Sequence, residues 1–206
     1  MHTLTAGNTI LRLASMTKVM TSATALALVE EGHLSLDDTV AGWLPYFTPA
    51  LLDGRVPEIT IRQLMTHTSG LSYPFFEPNA DSAIYDDLPA GLEPPEGTLE
   101  QAMRAIAGAP LCYEPGAEWR YSVSTDVLGA VIEAASGMTL PEAIARHIMG
   151  PLGMTETAFP DRLATAYRDV PEKAELLEKG GMTRSVSGYR PPARCTLRGG
   201  PRAAVA

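Results

Sequence analysis

Residues 16–31 run Met-Thr-Lys-Val-Met-Thr-Ser-Ala-Thr-Ala-Leu-Ala-Leu-Val-Glu-Glu, and the helix this run predicts is apolar on nearly every side. Met16, Val19, Met20, Ala23, Leu26 and Ala27 make one face, while Ala25, Leu28 and Val29 fill much of the rest. A helix with no polar face is expected to be surrounded by protein, which demands a large partner surface. Gly32 is placed to close it with a left-handed cap. At its entry stand Ser15 and Lys18, three residues apart and therefore on one helix face, where hydroxyl and amine can meet. Burial disfavours the charged form of an amine, so Lys18 is expected to have a lowered pKa and to accept the serine proton. The helix N-terminus adds N–H groups beside the place where an oxyanion would form. A Ser-x-x-Lys pair also arises by chance as two solvated side chains, so the rest of the chain has to decide between the readings.

The bulk properties narrow the field. A chain of 206 residues makes one large domain or two small ones, and 45% apolar with 19% charged residues is ordinary for a globular protein. The net charge of −8, with no long basic run, argues against a nucleic-acid partner. Cys112 and Cys195 fit neither a disulfide framework nor a metal site, and no metal or cofactor is expected. No run reaches transmembrane length, and no signal peptide follows Met1.

Three capping boxes punctuate the chain: Thr60-Ile61-Arg62-Gln63, Thr98-Leu99-Glu100-Gln101 and Thr139-Leu140-Pro141-Glu142. They predict helices through Leu64 and Met65, through Met103 and Ile106 to Gly108, and through Ile144 and Ile148 to Gly150. A short helix is expected at Val40, Trp43 and Leu44, stopped by Pro45. Another carries Val127, Leu128, Val131, Ile132 and Ala135 and ends at Gly137. His67-Thr68-Ser69-Gly70 reads as a turn. Residues 72–97, rich in Pro, Gly and Asp and carrying Tyr73, Phe75, Phe76 and Tyr85, read as a long loop of the kind that forms a lid or pocket wall. Residues 172–179 suggest a short charged helix. From Met182 onward, five arginines stand among Gly, Pro and Ala with no period, a disordered-tail composition.

Several stretches taken together resemble the serine β-lactamase and penicillin-binding-protein superfamily, and most of all its class C-like carboxylesterases, the family VIII esterases. Ser15-Met16-Thr17-Lys18 matches the nucleophile motif. Tyr121-Ser122-Val123, preceded by Glu114-Pro115-Gly116 and Trp119, matches the tyrosine motif. Leu64-Met65-Thr66-His67-Thr68-Ser69-Gly70-Leu71 and Pro151-Leu152-Gly153-Met154 with Thr157 resemble two further segments. Four segments agree in order and spacing over roughly residues 8 to 160.

The resemblance implies an α+β fold of the β-lactamase/transpeptidase type, here mostly its helical region, with much of the antiparallel sheet missing. Residues 1–160 would form the partial hydrolase domain and 161–206 a poorly defined tail. The implied activity is a serine hydrolase acting through an acyl-enzyme on carboxylic esters, with β-lactamase or D-Ala-D-Ala peptidase activity as the alternative. A non-catalytic fragment or binding module is the reading from outside the enzyme class. Ser15 would be the nucleophile, Lys18 its amine partner, and Tyr121 the proton relay, with a small-molecule ester or lactam as substrate. Lys18 would stabilise a phenolate at Tyr121, since a phenol needs a nearby cation before it serves as a base at neutral pH.

Other residues invite weaker readings. His67 is expected to be structural, and Trp119 to pack in the core. Glu114 and Asp126 orient neighbours, cap a helix or sit solvated. Val123 offers no hydrogen bond to the amide side chain of a lactam, which tilts the preference toward simple esters.

No Lys-Thr-Gly, Trp-x-Gly or His-x-Gly follows Tyr121. The segment from Arg194 to Gly200, with suitable GC-rich codons, reads Val-His-Pro-Ser-Gly-Gly in the next frame, which the resemblance leads one to expect. The expectation is a frameshift upstream of residue 194, so that 182–206 is not a selected sequence; a gene without that open frame refutes it. The favoured compartment is the cytoplasm. A periplasmic or secreted location stays open, because the true N-terminus is expected to lie upstream.

Overall fold

A computed structural model describes residues 13–73, 98–155 and 157 in full, together with the backbone of 166–170 and 173–177. The loop expected at 72–97 is thus described only to Tyr73 and from Thr98, and the proposed frameshifted segment lies outside the described residues.

The order of elements follows the punctuation of the sequence. A 3₁₀ turn, Ala14–Met16, leads into α1 (Thr17–Glu30). Next come α2 (Val40–Trp43), α3 (Ile61–Met65) and α4 (Leu99–Gly108). They are followed by α5 (Ser124–Ser136) and α6 (Leu140–Ile144), which continues as a π-helical turn, Ala145–Met149. All three capping boxes form, with the threonine hydroxyl and the Gln or Glu side chain reciprocally engaged. Gly137 ends α5 at φ 67°, and Gly32 follows α1 at φ 77°, the left-handed caps that glycine favours.

The core gathers around α5. Val127, Leu128, Val131 and Ile132 are fully buried against Leu28 of α1, Ile61 and Leu64 of α3, Met103 and Ile106 of α4, and Phe47. Isolated bridges from Thr39 to Thr60 and from Leu51 to Leu111 tie the connections between the helices.

Two expectations fail in informative ways. The charged segment 172–179 contains a strand: Lys173–Leu177 pairs antiparallel with Ala166–Val170, Val170 opposite Lys173, across a two-residue connection. Lys-Ala-Glu-Leu alternates polar and apolar residues, the period of a strand. Among the described residues this hairpin is the whole of the β-sheet.

The second failure concerns α1, which is covered on one side rather than surrounded. Thr21, Thr24, Ala25 and Leu28 form the buried stripe, at the i, i+3, i+4, i+7 spacing, and α1 packs on α5 and α6. On the opposite side Met16, Val19 and Leu26 remain 61%, 72% and 47% exposed. A helix without a polar face cannot choose its covered stripe by its own pattern. The neighbours chose it.

The turn after α3 is built on Gly70, at φ 86°. A Cβ there would run into the Tyr113 carbonyl oxygen, while the Gly70 carbonyl accepts a 2.8 Å hydrogen bond from Cys112 N–H. Gly70→Ala combines a left-handed backbone with a backbone clash, and should cost about 3 kcal/mol or more. Urea denaturation followed by circular dichroism measures it.

Candidate functional site

Ser15 sits in the 3₁₀ turn that precedes α1, and its residue is exposed. Ala14, immediately before it, holds φ at 45°, a left-handed conformation that costs a non-glycine residue of order 1–2 kcal/mol. The serine is therefore presented on a strained turn at the mouth of a helix. Ser15 Oγ makes no hydrogen bond to the described residues, so the structure does not join it to either expected partner.

Lys18 and Tyr121 do come together. Lys18 Nζ lies 5.1 Å from the centre of the Tyr121 ring and 5.8 Å from that of Tyr73. The two rings stand 5.6 Å apart. Tyr73 is 3% exposed and enters as a site member that the sequence placed only in a loop.

The expected sign at Lys18 is overturned. Burial pulls its pKa down, but the hydroxyls of Tyr73 and Tyr121 and the carboxylate of Asp126 act the other way, and the net shift is upward from the ordinary lysine value. The amine is an ammonium at neutral pH. Desolvation was read correctly from the sequence, but the partners that outweigh it come from distant parts of the chain. Tyr73 is pushed up to about 12, chiefly by burial and further by Asp126, against the pull of Lys18. It is a neutral phenol in the working range.

His67, at φ 55°, stacks its ring 4.9 Å from Tyr121, with its Nδ1 3.5 Å from Ser122 Oγ. Burial and then the charge of Lys18 lower its pKa, so the imidazole is neutral at pH 7. Its carbonyl accepts from Arg120 N–H at 2.8 Å. These contacts hold the tyrosine segment and agree with a structural role.

A buried hydroxyl chain completes that support. Ser69 Oγ and Ser122 Oγ each lie 2.7 Å from Ser124 Oγ, and Ser69 Oγ also accepts from Leu71 N–H. The His-Thr-Ser-Gly turn is thereby bound to the Tyr-Ser-Val-Ser segment. The serines were in view in both motifs, but their pairing across 55 residues has no local signal.

Other residues depart from expectation. Trp119 is 62% exposed, edge-on to His67 at 6.4 Å, so it is not core packing; the ring lies at the rim beside the tyrosine segment. Glu114 pairs with Arg55 at 3.0 Å on the surface. Val123 is 1% exposed and belongs to the core, so it presents no surface beside Tyr121. Asp126 is half-buried, and its Oδ2 is shut off from solvent and has no hydrogen-bond partner. Burial, opposed by Lys18, raises its pKa. Among the described residues no group of three or more His, Cys, Asp or Glu side chains could hold a metal ion.

The turn that carries Ser15 and the Lys18 amine beside the rings of Tyr73 and Tyr121 bring the residues of the two sequence motifs onto one helical core. The family model for Beta-lactamase matches residues 3–187, and the chain belongs to that family. Esterase EstB of Burkholderia gladioli is 42% identical over 168 residues, covering 79% of this chain and 42% of the relative. Monacolin J acid methylbutanoyltransferase of Aspergillus terreus is 35% identical, covering 74% and 40%. Among solved structures, EstCE1, a hydrolase with promiscuous acyltransferase activity, superimposes with a TM-score of 0.80 at 41% identity, covering 88% of this chain and 49% of that one. The fold is thus of the β-lactamase/transpeptidase type. The chain spans about half the length, or somewhat less, of the relatives it matches.

Proposed function

We propose that Ser15 is the nucleophile of a serine hydrolase that forms an acyl-enzyme on carboxylic esters. The observation that carries this reading is the Lys18 ammonium held against the phenols of Tyr73 and Tyr121, one helical turn from Ser15. The esterase relatives support the substrate class.

Ser15 Oγ attacks the ester carbonyl carbon while the Tyr121 oxygen, acting in the phenolate form that the Lys18 ammonium would stabilise, takes up the serine proton and becomes the phenol. The carbonyl oxygen takes up the negative charge, with the Ser15 backbone N–H as one donor to it. The intermediate collapses by breaking the bond to the leaving alcohol, which takes the proton back from Tyr121. Water then repeats the sequence on the acyl-serine, releasing the acid and free Ser15. An alcohol in place of water gives acyl transfer, the activity named for the Aspergillus terreus relative. Lys18 remains charged throughout and works by its field. Tyr73, as a neutral phenol, anchors the ammonium.

On the same reading, the exposed Met16, Val19 and Leu26 are the surface against which the larger antiparallel sheet of the fold packs. Incubation of the chain with p-nitrophenyl acetate tests the function. Nitrophenol release that saturates with substrate, and stops after treatment with an alkyl fluorophosphonate, is the expected result. Neither turnover nor modification by the phosphonate would leave the family assignment standing and remove the activity.

A further inference from the structure

We propose that Ser122 is a positioning residue for Tyr121: its hydroxyl donates to Nδ1 of His67 and so holds the imidazole, with its proton on Nε2, against the Tyr121 ring. The proposal rests on the reading of Tyr121 as the proton relay. It extends that reading to the second residue of the tyrosine motif and to the histidine in the turn after α3.

The direction of the hydrogen bond follows from counting hydroxyl hydrogens. Ser69, Ser122 and Ser124 are 1%, 0% and 0% exposed, so bulk water does not serve them. A buried hydroxyl hydrogen without an acceptor is costly, and each serine has one to place. Ser69 Oγ already accepts from Leu71 N–H at 3.3 Å, and the acceptor bonded to it among the described residues is Ser124 Oγ at 2.7 Å. Ser69 therefore donates to Ser124. The hydrogen of Ser124 then has Ser122 Oγ, also at 2.7 Å, as its acceptor. Ser122 Oγ takes that hydrogen and a second one from Ser124 N–H at 3.3 Å, and its own hydrogen goes to His67 Nδ1 at 3.5 Å. With His67 as donor instead, one of the three hydroxyl hydrogens is left stranded. A neutral imidazole that accepts at Nδ1 carries its proton on Nε2.

His67 thereby grips Tyr121 from both flanks. Its carbonyl accepts from the N–H of Arg120, one residue before Tyr121, at 2.8 Å, and its ring is bonded to Ser122, one residue after. Between these anchors the imidazole and phenol rings lie 4.9 Å apart at 41°. The Ser122 hydroxyl thus fixes where the ring that bears the relay oxygen stands.

The test reads the imidazole and the phenol separately. The chain has four histidines, so ¹⁵N-histidine NMR of the full chain at pH 8 resolves each ring, with His67→Gln assigning the one concerned. In the unaltered protein His67 should carry its proton on Nε2, with Nδ1 shifted as a hydrogen-bond acceptor. In Ser122→Ala that shift should vanish, and the NOE between the His67 and Tyr121 rings should weaken. Turnover of p-nitrophenyl acetate should fall about tenfold in kcat with KM within about twofold, because a displaced relay slows the chemistry without loosening the substrate. Ser69→Ala is the control for a merely structural loss: it should lower stability, yet Ser122 still has only His67 to donate to, so the Nδ1 signal stays. A proton on Nδ1 in the unaltered protein overturns the proposal whatever the variants do. So does a folded Ser122→Ala that keeps the Nδ1 signal, the NOE or the parent kcat. An unaltered chain without turnover, whose Nδ1 signal and NOE are both lost in Ser122→Ala, would remove the ester chemistry and leave the placement of Tyr121 by Ser122 standing.

Discussion

Ser15→Ala should reduce nitrophenyl ester hydrolysis to background, a loss on the order of 10³-fold or more, because no other group can take over the covalent step. The residue is exposed, and its hydroxyl makes no hydrogen bond to the described residues. Its removal should therefore change stability by less than about 0.5 kcal/mol, as for a surface substitution free of special contacts. Steady-state assays at several substrate concentrations, with a denaturation curve for each protein, separate the two effects. Unchanged melting with lost turnover is the signature of a nucleophile. Residual turnover within tenfold of the parent would place the chemistry elsewhere.

The second large effect is expected from Tyr121→Phe. The ring contacts to His67 at 4.9 Å and to Tyr73 at 5.6 Å survive, while the oxygen that carries the proton is lost. Loss of a general acid–base group costs roughly 10²–10⁴-fold in turnover. Tyr73→Phe is the matched control, since it removes the other phenol that Lys18 engages. If Tyr73 only anchors the ammonium, its variant should lose much less, on the order of tenfold, by displacing Lys18. Pre-steady-state release of nitrophenol measures both. Equal losses would mean that the two tyrosines share the proton, and would end the assignment of Tyr121 alone.

Local features of the sequence carried much of the architecture. Each capping box fixes a helix start through its own side chains, within four residues, and all three form as read. Gly32 and Gly137 mark helix ends for the same reason: only their own φ is at issue. The strand at Lys173–Leu177 was misread because charge was weighed above the two-residue alternation.

The site was legible in part. Ser15, Lys18 and Tyr121 are visible as motifs, and the structure brings Lys18 and Tyr121 together. The charge on Lys18 was not legible, because the groups that outweigh its burial are contributed from positions 73, 121 and 126. Asp126 could be read as a cap because acidic residues are common on first helical turns. Only the folded structure reveals that Oδ2 is enclosed. The stripe of α1 left open was equally hidden, since Thr21 and Thr24 satisfy their hydroxyls on backbone carbonyls four residues back and so tolerate burial. Apolarity alone pointed to Val19 and Leu26 instead.

The central claim is that Ser15, one helical turn before Lys18, is an activated nucleophile. Trypsin cuts after Arg12 and Lys18, so Ser15 falls in the short peptide Leu13–Lys18. Mass spectrometry of that peptide after treatment of the full chain with an alkyl fluorophosphonate at neutral pH tests the claim directly. The expected result is one phosphonyl adduct per chain, located on Ser15 and absent from Tyr121→Phe over the same time. An unmodified Leu13–Lys18 peptide, or an adduct on another serine, would contradict it.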